Sequence, residues 1–247
     1  MGGNTGLSLP NVGGRPVSEG ARMVEPRRHH IVPIAGLFSA TLIMSLILAG
    51  KIVSFGGVTF SAAVIVFPLS YVFGDVLTEV YGYASARRVV WAGFAAQVIW
   101  IAAYTLAATL PPAPFWPHQT AFETILSSTP RTAFAGMTAY LAGEFLNSYV
   151  LDRMKLRTEG RLLALRLVAS TVVGQGVDTM IFVLLAFGGV FAAGDLFKII
   201  LGAWMLKVAW EIAALPLSLP LIAWLKREEG EDHFDRNTDF NPFRLKE

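Results

Sequence analysis

Four short clusters in this sequence combine residue types and spacings that could handle a polar molecule. Asp75 and Glu79 stand four residues apart, Glu144 precedes Asn147 and Ser148 by three and four, Gln175 and Asp178 are three apart, and Lys207 is followed four residues later by Glu211. On a helix, such spacings put the paired side chains on one face. Carboxylates accept charge-assisted hydrogen bonds, carboxamides and hydroxyls both donate and accept, and an ammonium neutralises a neighbouring carboxylate. Together they suit recognition rather than bond breaking. The chain has no cysteine, so disulfides, thiolate nucleophiles and cysteine-ligated zinc are excluded. Its four histidines, His29, His30, His118 and His233, stand in polar connections or tails without His-Glu-x-x-His spacing. Neither a metal, a cofactor nor an enzymatic activity is expected.

These clusters sit in unusual surroundings. The 247 residues are 54% hydrophobic and only 15% charged, against roughly 25% charged in a soluble domain. The apolar residues run in six long blocks, at about 31–49, 58–81, 89–110, 132–151, 162–188 and 196–225. Each approaches the ~20 residues a helix needs to cross a hydrocarbon core, and lipid forces the backbone of such a segment to bond within itself. The expected fold is therefore all-α, an integral membrane bundle of six transmembrane helices spanning 31–227. A disordered cytoplasmic tail is expected at 1–30 and a second cytoplasmic tail at 228–247. Of the 20 lysines and arginines, only Lys51, Arg131 and Lys198 fall on one side and Lys207 belongs to neither count; the other sixteen cluster on the opposite side or in the tails. That bias places both termini in the cytoplasm of a bacterial cell and implies an even number of crossings.

A charge at bilayer depth costs about 2.5–3.5 kcal/mol even on lenient scales, so each cluster has both a functional and a structural reading. Glu79 either faces a polar chamber or pairs with Arg87 or Arg88 at the helix end, while Asp75 lies deeper. Pro68 is expected to kink the second helix. Asn147 and Ser148 either meet a solute or bond a neighbouring helix, and the glycines flanking Gln175 permit a close helix contact. Lys207 either neutralises Glu211 on its own helix or compensates a carboxylate elsewhere and leaves Glu211 free. Polar residues on four helices converging in one bundle suggest a hydrophilic pocket, with flat aromatic partners in Phe67, Tyr71 or Trp210. The connection 111–130, with Pro111, Pro112, Pro114 and Pro117, is expected as a solvated loop whose Phe115, Trp116 and Phe122 rest at the lipid interface. Three helices per half would permit an inverted repeat, but similarity between the halves is faint. No Gly-x-x-x-x-Gly-Lys-Ser/Thr loop is present, so the chain does not hydrolyse ATP.

Four stretches together resemble the queuosine precursor transporter family, also called the vitamin uptake transporter family. They are Asp75-Val76-Leu77-Thr78-Glu79-Val80-Tyr81-Gly82, Gly143-Glu144-Phe145-Leu146-Asn147-Ser148, Ser170-Thr171 through Gly174-Gln175 to Asp178, and Thr238-Asp239-Phe240-Asn241-Pro242-Phe243. The resemblance spans about 31–243. It implies an inner-membrane importer of 7-cyano-7-deazaguanine or 7-aminomethyl-7-deazaguanine, with a fold similar to the substrate-binding subunits of vitamin importers. The expected partners are a deazapurine and membrane lipid, with no nucleic acid, and small residues on several helices leave room for a homodimer. The competing readings are transport of a vitamin or ordinary purine, and a scaffold whose polar pairs only hold helices together.

Overall fold

The computed structural model describes residues 28–49, 51–55, 58–126, 130–236 and 238–244. The expected N-terminal tail lies outside these apart from residues 28–30. Six helices of 15 to 37 residues form the bundle: α1 (Ile31–Ala49), α2 (Phe67–Tyr81), α3 (Tyr83–Thr109), α5 (Pro130–Arg157), α6 (Leu163–Phe187) and α7 (Ala193–Glu229). A short helix, α4 (Gln119–Leu126), lies within the proline-rich connection. Four of them, α1, α3, α6 and α7, are long and apolar enough to cross a membrane. The chain is a multi-pass helical membrane bundle.

The other two large helices fall short of a simple apolar span for instructive reasons. Helix α5 has the length but carries Arg131, Glu144, Asp152, Arg153, Lys155 and Arg157. Helix α2 has 15 residues, about 22 Å at 1.5 Å per residue, below the ~30 Å hydrocarbon thickness. Helix α2 can carry polar groups because it sits in the middle of the bundle, against α1, α3, α5 and α7. From Ser70 to Tyr81 every residue except Phe73 is buried.

Several sequence expectations are corrected here. The second apolar block, 58–81, is not one helix. Its start pairs as strand β2 (Val58–Ser61) with β1 (Ile52–Phe55), antiparallel, followed by a 3-10 turn (Ala62–Ile65). Pro68 does not kink the helix, because it occupies the first turn, where its missing N–H costs nothing. Helix α3 begins at Tyr83 rather than near residue 89, so Arg87 and Arg88 lie inside a helix. Only Gly82, at φ 82°, separates α2 from α3. This left-handed conformation suits glycine, and a Cβ there would come 2.7 Å from Asp235 Oδ2. The basic connection expected at 152–161 is mostly helical too, since α5 runs on to Arg157 with Asp152 and Lys155 buried. Helix α7 continues through Pro216 and Pro220 to Glu229.

The segment after α7 is packed into the bundle. Asp235 accepts the backbone N–H of Tyr83 at 2.7 Å, and Arg87 donates to the carbonyls of Asp239 and Asn241, both at 2.8 Å. Trp91 Nε1 donates to Pro242 O at 2.8 Å, and the Arg153 guanidinium lies 4.1 Å from the centre of the Phe240 ring. The Thr238–Phe243 stretch is thus a strap over the basic end of the bundle. His233 anchors its start, with Nε2 3.4 Å from Asp235 Oδ1. That hydrogen bond raises the imidazole pKa above its usual value. Burial pushes the Asp235 carboxyl up, yet hydrogen bonds from His233, Thr238 and the Tyr83 N–H outweigh it and hold the group below the usual carboxylate range.

The sign of the pH effect follows. A raised histidine contributes fully below about 6.5 and loses its contribution as pH rises through the folded value, whereas a depressed aspartate fails only in acid, below about 4. Strap docking is therefore expected to weaken as pH rises from 6 to 8.5. A spin label on Arg236→Cys, unique in this cysteine-free chain, should gain mobility over that range, and His233→Gln should flatten the response.

Candidate solute site between α2, α5, α6 and α7

Helices α5 and α6 make the most intimate contact in the bundle, and glycine makes it possible. A Cβ on Gly143 would stand 2.6 Å from Asp178 Cβ, and one on Gly174 would stand 2.7 Å from Asn147 Cβ and 2.9 Å from Gly143 O. Each glycine therefore lets a polar residue of the opposite helix into the seam. Gly74 of α2 does the same for Glu144, whose Oε2 would be 3.1 Å from a Cβ there. Gly176 faces the other way, towards Trp204 of α7, whose indole N–H donates to Val172 O at 2.9 Å. Small residues are thus used on three sides to bring polar side chains together.

Tyr71 is the meeting point. Its hydroxyl donates to Gln175 Oε1 at 2.6 Å, and its electrostatic neighbours are Asp178, Glu144, Glu211 and Asp75. Lys207 reaches across from α7 to pair with Asp178 and donates to Gln175 Oε1 at 3.3 Å. The lysine therefore serves another helix rather than Glu211. Asn147 Nδ2 donates to Asp75 Oδ1 at 2.9 Å, and Thr78 Oγ1 donates to Gly74 O and is hydrogen-bonded to the Ser148 hydroxyl, both at 3.0 Å. Glu144, 5% exposed, makes no hydrogen bond or ion pair among the described residues; its charged neighbours are Asp178 and Lys207. Glu211 is buried with both carboxylate oxygens unpartnered, and Thr171 lies beside it outside hydrogen-bonding geometry.

Of the candidate residues, Asp75, Glu144, Asn147, Ser148, Gln175, Asp178, Lys207, Glu211 and Tyr71 share this region. Glu79 belongs to a separate ionic cluster. It is enclosed by Arg166, with Nη1 2.5 Å from Oε2 and Nη2 3.1 Å from Oε1, by Lys226 at 2.6 Å and by Lys155 at 3.7 Å. Lys155 also donates to the carbonyls of Glu79 and His233 and pairs with Asp232. The partners of Glu79 are therefore Arg166, Lys226 and Lys155 rather than Arg87 or Arg88, and Arg87 donates to the strap instead. Trp210 of α7 is 39% exposed. Phe67 opens α2, but its side chain lies outside the described set.

Sequence reasoning missed Thr78, Thr171, Trp204 and Arg166. Thr78 lies three residues after Asp75 and Trp204 three before Lys207, so helical spacing from the charged residues would have found both. Among the described residues, no group of three His, Asp or Glu side chains is arranged to hold a metal ion.

A multi-helix membrane bundle whose ionisable and amide side chains turn inwards onto one another has the architecture of a solute transporter. The comparisons with known proteins agree. A family profile described as "Putative vitamin uptake transporter" matches residues 61–221, and the chain belongs to that family. It is 32% identical over 167 residues to a Bacillus subtilis (strain 168) protein named "Probable queuosine precursor transporter", covering 67% of this chain and 73% of the relative. No solved structure matches. The matched region holds the whole α2–α5–α6 site and most of α7, but stops short of the strap.

Proposed function

We propose that this protein imports queuosine precursors, 7-cyano-7-deazaguanine or 7-aminomethyl-7-deazaguanine, across a bacterial inner membrane, with six crossings and both termini in the cytoplasm. The observation that carries the reading is the convergence of Glu144, Asn147, Gln175, Asp178, Lys207 and Glu211 around Tyr71 inside a membrane bundle. A deazaguanine presents an amide N–H beside an exocyclic amine, a pair of donors that one carboxylate accepts with two charge-assisted hydrogen bonds. Glu144 is the carboxylate for that edge, since it has no hydrogen-bonded partner among the described residues. Gln175 and Asn147 serve the carbonyl and the pyrrole-type edge, and Tyr71 offers a ring for stacking. The name of the Bacillus subtilis relative supports the same substrate class. The family description keeps a vitamin as the second reading.

Uptake of labelled precursor by cells expressing Glu144→Gln or Gln175→Ala, at wild-type membrane levels, tests the assignment. Each variant is expected to lose at least about tenfold in uptake, the effect of one charge-assisted hydrogen bond or more. Unchanged uptake in both would remove the site. Greater uptake of a vitamin than of either deazaguanine by the wild type would favour the second reading.

A further inference from the structure

Resting on the deazaguanine reading of this site, we infer that its chemistry favours a ligand rich in donors, selecting the precursor whose 7-substituent is a protonated amine over the one carrying a nitrile. The unpartnered polar atoms around Tyr71 are of one kind. Asp75 Oδ2, Asn147 Oδ1 and both carboxylate oxygens of Glu211 lack a hydrogen-bond partner, and all three residues are more than nine-tenths buried. They come from α2, α5 and α7, so no single helix defect accounts for them. Every one of these atoms is an oxygen with lone pairs that can accept a hydrogen bond. Thr179 Oγ1 of α6, also unpartnered, can act either way, and the unpartnered donor Gln97 Nε2 belongs to α3, outside the four helices that build the site.

The charges tilt the same way. Asp75, Glu144, Asp178 and Glu211 are electrostatic neighbours of Tyr71, while Lys207 is paired with Asp178 and shared with Gln175. Asp75, Glu144 and Glu211 have no ion pair among the described residues. A nitrile is only an acceptor and would add to the excess. An alkylammonium brings three donors and a positive charge into a low-dielectric site, where such a contact is strongest. A bound metal ion would answer the same charge, but it requires several oxygens to converge at about 2.3–2.6 Å, as for calcium. The dispersion of these carboxylates over separate helices, with no metal-like grouping among the described residues, favours an organic donor.

Calorimetric titration of the detergent-purified protein with 7-aminomethyl-7-deazaguanine, 7-cyano-7-deazaguanine and guanine tests this. The aminomethyl base is expected to bind at least about tenfold more tightly than the cyano base, the scale of one charge-assisted hydrogen bond. Glu211→Gln and Asp75→Asn should each narrow that gap, the aminomethyl base losing more affinity than the cyano base. If the two precursors bind equally, or the cyano base binds more tightly, the donor preference is wrong while the deazaguanine site stands. A gap that survives both substitutions also overturns it, since the amine is then held elsewhere. Should neither base bind, the deazaguanine site and the preference fall together. The wild-type ratio decides the matter even if a variant fails to fold.

Discussion

Glu79→Ala is expected to cost about 3–5 kcal/mol of stability, because removing one partner of a buried ion cluster strands the others. The arithmetic of the cluster makes the case. Arg166 spends both terminal nitrogens on this carboxylate, and Lys226 and Lys155 lie around it with Asp232 as their other acidic partner. Both Arg166 and Lys155 are fully buried, so water cannot replace the lost anion. The melting temperature of the detergent-purified variant should fall steeply, and its monodisperse fraction with it. Glu79→Ala combined with Arg166→Ala should cost clearly less than the sum of the two single changes, the signature of direct coupling. A Glu79→Ala protein that melts with the wild type would show that these charges are solvated.

The second large effect is steric. Gly174→Ala places a methyl 2.7 Å from Asn147 Cβ and 2.9 Å from a backbone oxygen, and Gly143→Ala places one 2.6 Å from Asp178 Cβ. Neither obstacle is the end of a flexible side chain, so the helices themselves must move apart. Each substitution is expected to cost about 1–3 kcal/mol, as overpacking does. Each should also weaken ligand binding, because the displaced residues are Asn147 and Asp178 themselves. Gly176→Ala is the control. Its new methyl would meet Trp204 Nε1 at 3.4 Å, an ordinary contact, so melting and binding should stay close to wild type. Equal losses at Gly174 and Gly176 would refute the seam geometry.

Much of this was legible in the residues because lipid simplifies the problem. Apolar blocks longer than a soluble helix needs, with charges gathered between them, announced the bundle, and i,i+3 and i,i+4 spacing identified the faces of α2, α5, α6 and α7 that turn inwards. The failures have a common origin. Hydropathy could not distinguish the strand pairing and 3-10 turn before Phe67 from the start of a helix, since Val58, Phe60 and Val64 are apolar in either conformation. Nor could it see that α5 stays helical through its charged end, because burial of Asp152 and Lys155 depends on partners far away in sequence. The choice of Lys207 for Asp178 over Glu211 is of the same type: Glu211 is one turn away on the same helix and Asp178 lies on α6, and only the packing of α6 on α7 decides.

The strap has a bearing on how the protein is made. Arg87 and Trp91 are synthesised about 150 residues before the carbonyls of Asp239, Asn241 and Pro242 that satisfy them. Until residues 239–242 have been made and docked, a guanidinium that ends up 1% exposed lacks two of its acceptors. All the long helices end by Glu229, so the bundle can be complete in outline while this end of it still holds a cation whose partners come from a segment that has yet to fold back.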